Sequence, residues 1–287
     1  MIVLDIIIGG LLTGGIYALL AAGFNLQYGV ARVLNVSHGE FIMLGAMAAY
    51  SLYIPFGINP LVSLVIVGPV LFIISFLIHR IVFERLRMAS GITEVFEGRS
   101  LLVSFGLLFI IQNVGLLAWG PEDRGYTFLP DPVNLFGAIF AANRLLVLGF
   151  AVVIGLGFFL FLVRTRLGKA IRAAAQDETG AQIIGVNIHW MHGLCFGFGA
   201  LLAGLAGVLI STILNVSPVM GLPYTIIAII VVVLGGLGNI LGSLVGGLIL
   251  GLIGSIVLHT EPGLEMAVFY VLFMFILLVR PKGIFGK

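Results

Sequence analysis

The chain has 287 residues, of which 61% are hydrophobic and 9% charged, with a mean hydropathy of +1.24 and a formal net charge of +2. Soluble domains carry about 25% charged residues, so this composition excludes a soluble globular protein and gives no basic face for nucleic acid. One cysteine, Cys195, excludes a disulfide framework and reads as a small buried hydrophobe.

Apolar runs fall at 6–28, 39–54, 60–79, 100–119, 144–163, 191–213, 222–237, 239–257 and 266–280. They are continuous rather than alternating, which predicts membrane helices and not barrel strands. The first run is preceded by Asp5 and by no Lys or Arg, so it is expected to remain as a helix and not to be cleaved. Gly14, Gly15 and Gly23 in that run suit close helix packing. Asn25 and Gln27 near its end lead into VLNVSHGEFIMLG (33–45).

That stretch sets Asn35, Ser37, His38 and Glu40 between two apolar runs. Ionisable groups at membrane depth cost about 2.5 kcal/mol or more on insertion scales, so their presence points to a function. The run after them makes only about 24 Å of helix, short of the ~30 Å hydrocarbon core. The second helix is therefore expected to start below the surface, after a loop that dips inward. Such backbone is tolerated only where protein buries it or it lines a wet cavity. Ser37 and Glu40 also have the spacing of a capping box. A polar lining or gate and a helix cap are both open for these residues, and are compatible.

Pro55, Gly57 and Pro60 predict a tight outer turn. Residues 80–99 are amphipathic and partly helical in pattern. The fourth run carries Ser100, Ser104, Gln112 and Asn113, the two amides suiting interhelical hydrogen bonds. The loop 120–143, with Glu122, Asp123, Arg124 and Asp131, is the longest external segment and the surface expected to meet an outside partner. Residues 164–190 form the longest polar stretch. Their pattern predicts a short helix, a break at Gly180 and a second short helix, more than a plain connection needs, which suggests a docking knob for a soluble partner.

Further on, Gly235, Gly236, Gly238 and Asn239 break a second apolar run that is short on its N-terminal side. Two interrupted segments in corresponding places point to a midplane transport site. Arg32, Arg80, Arg85, Arg87, Arg99, Arg164, Arg166, Lys169, Arg172, Arg280, Lys282 and Lys287 all fall on one side when the runs alternate, leaving only Arg124 and Arg144 opposite. The basic side is the cytoplasm. The fold class is thus an all-α polytopic membrane protein of about nine transmembrane helices, eight to ten if a short segment is re-entrant, forming a single transmembrane domain over 1–287.

The sequence has no GxxxxGK[ST] loop, no HExxH, no CxxC and no GxSxG. His38, His79, His189, His192 and His259 are scattered, and no set of residues makes a catalytic or metal constellation.

The segments GGIYALLAAGFNLQYGVARVLNVSHGEFIMLGAMAAY (14–50), RTRLGKAIRAAAQDETGAQIIGVN (164–187), VLGGLGNILGSLVGGLILG (233–251) and RPKGIFG (280–286) resemble LivH-type permeases, the membrane subunits of branched-chain amino acid ABC importers. The resemblance runs in order through essentially the whole chain. It implies a second, LivM-like permease subunit, two ATP-binding-cassette ATPases, and a periplasmic or external solute-binding protein. ATP and Mg²⁺ would belong to the ATPases, so no cofactor is expected here. The bacterial inner membrane and a cytoplasmic C-terminus are implied as well. Residues 164–187 resemble the coupling loop that docks on the ATPases, with Arg166, Gly168, Lys169, Arg172, Ala173, Ala174, Asp177 and Gly180 as contacts. Asn35, Ser37, His38, Glu40, Gly235, Gly236, Gly238 and Asn239 would lie along or near the translocation path. On the residues alone, a passive channel, a secondary carrier or, further off, a membrane-embedded enzyme stay open.

Overall fold

The computed structural model describes residues 2–135 and 138–286. The charge of Lys287 and positions 136–137 of the external loop lie outside them. All nine apolar runs are helical. They are α1 (Ile2–Ala31), α2 (His38–Phe56), α3 (Pro60–Ile78), α5 (Thr93–Trp119), α6 (Ala142–Arg164), α9 (Ile188–Ser211), α10 (Gly221–Gly235), α11 (Ile240–Thr260) and α12 (Glu265–Val279). Short helices α4 (Glu84–Ser90), α7 (Arg166–Gln176) and α8 (Glu178–Ile183) complete the set. Among the described residues eight helices are long and apolar enough to cross a membrane. The ninth, α10, has 15 residues, about 22 Å, and is the short segment that the sequence left ambiguous.

The helices overhang the apolar runs. The third does not stop at His79 but continues through a π turn, His79–Phe83, into α4, held by the Arg80–Glu84 pair at 2.8 Å one turn apart. Among the described residues sheet is confined to a hairpin in the external loop, β1 (Pro132–Leu135) against β2 (Ala138–Ala141), antiparallel. That loop is tied down by a two-way backbone bridge between Arg124 and Val216, and by a 2.8 Å hydrogen bond between Tyr126 and Ser211. Burial pushes the Tyr126 hydroxyl up to about 12, so it stays protonated.

Helix α1 is the hub, packed against α6, α9, α10 and α11. Lipid supplies no hydrophobic drive between helices, so contact depends on backbones coming close. A Cβ at Gly14 would stand 2.8 Å from Leu248 Cα, and one at Gly23 would strike Gly199. Helices α2 and α9 meet in the same way at Gly45 and Gly204. The expectation of glycine-mediated packing in the first span therefore holds at Gly14 and Gly23, while Gly15 abuts Ala151. Asn113 departs from expectation. It faces outward and donates to Phe109 of its own helix at 2.7 Å.

The basic segments share one end of the bundle. Arg87 touches Ala31 and Glu178, and the tail lies on the α10–α11 turn, with Ile284 N donating to Leu234 O at 2.8 Å and Phe285 N to Gly235 O at 3.3 Å. Arg124 is at the opposite end, with Val216.

Candidate functional site: two broken segments hung on one helix

Helix α1 ends at Ala31, and Arg32 takes φ +52°, the left-handed turn that lets the chain double back. The loop 32–37 runs back along α1 until His38 Nε2 lies 3.1 Å from Leu20 O, with its ring edge-on to Phe24. Eleven residues separate Leu20 from Ala31, so α2 starts about 16 Å back from the end of α1. The inward dip expected from the short second run is present.

The non-helical backbone of this loop is satisfied by hydroxyls from outside it. Ser100 Oγ accepts from Leu34 N at 3.3 Å, and Ser104 Oγ from Val36 N at 3.1 Å while donating to Leu34 O at 2.9 Å. Thr225 Oγ1 donates to Val36 O at 2.9 Å and accepts from Gly39 N at 2.8 Å. Ser100 and Ser104 were visible as hydroxyls one turn apart on an apolar helix. Thr225 gave no such signal and its role was missed.

Asn35 Nδ2 donates to Gln27 Oε1 at 3.0 Å, and Gln27 Nε2 to Phe196 O at 3.0 Å. The capping box is not formed. Ser37 sits at the N-cap of α2 but turns its hydroxyl to Asn35 Oδ1 at 2.6 Å, because that buried oxygen needs a donor. Glu40 instead lies against Gly221, the first residue of α10, where any side chain would displace its carboxylate. Neither Glu40 oxygen nor His38 Nδ1 has a hydrogen-bond partner. Asn35, Ser37, His38 and Glu40 are all buried within the chain.

The second break is built to the same plan. Gly236 and Gly238 have φ of +101° and +81°, and Asn239 caps α11 by accepting from Gly242 N at 3.0 Å. Asn25 on α1 holds the turn from three directions. Its Nδ2 donates to Asn239 O at 2.9 Å and Ser243 Oγ at 2.7 Å, and its Oδ1 accepts from Gly238 N at 2.6 Å. Gln27 and Asn25 thus each tether one broken segment to the hub. Gly238 and Asn239 line a half-open cavity of about 520 Å³ with Asn25, Arg32, Arg172 and Phe285; Gly235 and Gly236 are buried beside it.

In the polar stretch the break is at Asp177, not Gly180. Asp177 is extended and its carboxylate accepts from Thr179 N at 3.0 Å, capping α8, while Gly180 lies inside that helix. The carboxylate folds over the face of Gly180, which leaves room for it. Thr165 caps α7 through Gly168 N at 3.0 Å. Gly168 and Ala174 are buried against the bundle, Ala173 and Gly180 are half-buried, and Arg166, Lys169, Arg172 and Asp177 are exposed. His189 and His192 each approach a carboxylate, Glu84 at 3.4 Å and Glu178 at 3.3 Å. Among the described residues no three His, Cys, Asp or Glu side chains converge for a metal.

Helices long and apolar enough to cross a membrane many times, with two interrupted segments set against one central helix, make a polytopic helical membrane protein. The profile of the family described as "Branched-chain amino acid transport system / permease component" matches residues 6–277, and the chain belongs to that family. It is 30% identical to the high-affinity branched-chain amino acid transport system permease protein BraD of Pseudomonas aeruginosa, over 98% of this chain and 95% of that one. It is 29% identical to LivH of Escherichia coli K12, over 97% and 94%. PsaBC from Streptococcus pneumoniae, solved in complex with Fab, has the same fold at a TM-score of 0.51 and 13% identity, covering 96% of this chain and 92% of that one.

Proposed function

We propose that the chain is the permease subunit that carries branched-chain or related amino acids in an ATP-driven importer of the bacterial inner membrane. Its family membership over 6–277 carries this reading. The assembly would contain a second, LivM-like permease, two ATP-binding-cassette ATPases that hold ATP and Mg²⁺, and a periplasmic or external solute-binding protein. The C-terminus would be cytoplasmic, as the clustering of the basic segments at one end supports.

Transport would proceed by alternating access. When the ATPases close, α7 and α8 move with them, and the spans rock about a path between the two permeases. Arg166, Lys169, Arg172, Ala173, Asp177 and Gly180 would face the ATPases, with Gly168 and Ala174 seating α7 on the bundle. Asn35, Ser37, His38 and Glu40 would act as a closed gate, reached when α2 and α10 part. Gly235, Gly236, Gly238 and Asn239 would form the cytoplasmic mouth. Few charges line this route, which suits a solute with an apolar side chain.

The test is leucine uptake into liposomes by this chain alone, with its co-purifying partners, and with the same partners and Arg172→Glu. Uptake that requires partners and ATP, and drops about tenfold in the substituted complex, is expected. Flux through the isolated chain would overturn the importer reading.

A further inference from the structure

Arg87, near the end of α4, reaches four elements at once. Nη2 donates to Ala31 O, the last carbonyl of α1, at 2.6 Å. Nη1 lies 3.4 Å from Glu178 Oε2 on α8. The guanidinium covers the Phe96 ring of α5 at 4.7 Å, and its stem belongs to α4. Glu178 in turn lies 3.3 Å from His192 of α9.

The residue after Ala31 is Arg32, a non-glycine residue at φ +52°, where the chain reverses into the loop 32–37. Such a conformation persists only while its surroundings hold it. The carbonyl held by Arg87 is one of the orphans at the end of a helix, next to that reversal. The fork of a guanidinium can hold a carboxylate and a carbonyl at once in a fixed geometry, which an ammonium cannot do as well. Glu178 stands directly after the Asp177 break, on the segment read above as the ATPase-docking knob.

We propose that Arg87 is a positioning residue for transport: it links the position of α8, through Glu178, to the closed form of the loop 32–37, through Ala31. Displacement of α8 draws the guanidinium off the end of α1 and frees the reversal at Arg32. The loop bearing Asn35 and Ser37 then shifts, and with it the start of α2 at His38, without contacting the docking segment. This rests on the importer reading for its consequence, but the link itself is a property of this chain.

Two measurements separate the two. In the full chain in detergent, hydrogen exchange at the amides of 33–37 is followed for the unsubstituted protein, Arg87→Gln and Glu178→Gln. Glu178 is half-exposed and Arg32 as well as Arg87 feels its charge, so the double variant Arg87→Gln/Glu178→Gln is followed too: exchange no faster than in Arg87→Gln alone shows that the loss of Glu178 acts on the loop through Arg87. Exchange several-fold faster in both single variants is expected; an unchanged loop in Glu178→Gln overturns the link. In the reconstituted complex, leucine uptake per ATP hydrolysed should fall at least fivefold in Arg87→Gln and Glu178→Gln, and the double variant should be no worse than the more severe single one. Equal loss of uptake and hydrolysis, or effects that multiply, would assign Arg87 to stability alone. Absence of uptake in the unsubstituted complex would sink the importer reading and leave the exchange result to decide on Arg87.

Discussion

Gln27 is a buried amide whose two ends are both used, one on Phe196 O and one on Asn35. Replacing it by Leu leaves Asn35 Nδ2 without that partner in a site closed to water, at a cost of about 1–3 kcal/mol, while Phe196 O keeps the Ser75 hydroxyl at 3.0 Å. We expect Gln27→Leu to lower the thermal midpoint in detergent. Gly221 makes a similar case for space. The position of its Cβ is taken by the Glu40 carboxylate, whereas a Cβ at Gly98 on α5 meets nothing within 4 Å. Gly221→Ala should destabilise by about 1–3 kcal/mol, as overpacking does, and Gly98→Ala, inside a helix with open space, should stabilise by up to about 1 kcal/mol. Equal midpoints for the two would disprove the contact. For Glu178, the His192 ring beside it, with Arg87 and Arg32, holds its carboxyl below the usual carboxylate range against the opposing effect of burial. A depressed value means that its contribution is present above the ordinary Glu range and is lost only as pH falls through the lower, folded-state value. Stability attributable to Glu178, measured as the difference in midpoint between the chain and Glu178→Gln, should be level from pH 8 to about 5 and shrink below that.

At the scale of the element, the sequence marks both interrupted segments, sets the break in the polar stretch at Gly180 instead of Asp177, and offers a cap at Ser37 that does not form. Gly236, Gly238 and Asn239 announce a turn and a helix start by residue type alone, and they form one. Gly180 announces a break and does not make one, because Asp177 offers a stronger local alternative: a short acidic side chain that caps the next helix. Ser37 has the type and spacing of a cap, yet its hydroxyl is diverted by the unsatisfied oxygen of Asn35, a residue whose burial only the tertiary fold sets. Asn239 does cap its helix, and its Nδ2 also donates to Phe285 O at 3.0 Å, so one side chain joins the second break to the tail. Asn239→Ala should lose a cap worth about 1 kcal/mol, with the tail bond in addition. Faster exchange at the amides of Ile284 and Phe285 in that variant is the expected readout; unaltered exchange there would show the tail to be held by its backbone bonds alone.

For the whole molecule, orientation is the property on which the importer reading leans most. With the buried Cys195 changed to Ala, a single cysteine introduced as Pro130→Cys should react with an impermeant maleimide in intact cells. One introduced as Lys282→Cys should react only after the membrane is opened. The reverse pattern would invert the topology and separate the docking segment from any cytoplasmic ATPase.

Composition, the length of the apolar runs and the polar and Gly residues between them by themselves determined that this is a membrane protein, that it has eight to ten spans, and where two interruptions fall. Those are local properties: the cost of bare backbone in hydrocarbon and the charge of the flanks act on each segment separately. The tertiary structure decided what the interruptions attach to. That α1 is the hub follows from glycines on different helices meeting backbone to backbone. That Asn25 and Gln27 hold one break each, that Thr225 braces a loop some 190 positions away, and that Arg87 joins Ala31 to Glu178 depend on contacts between distant positions. No spacing within one segment encodes them, because a hydrogen bond between helices is set by how the helices pack and not by where their residues fall along the chain.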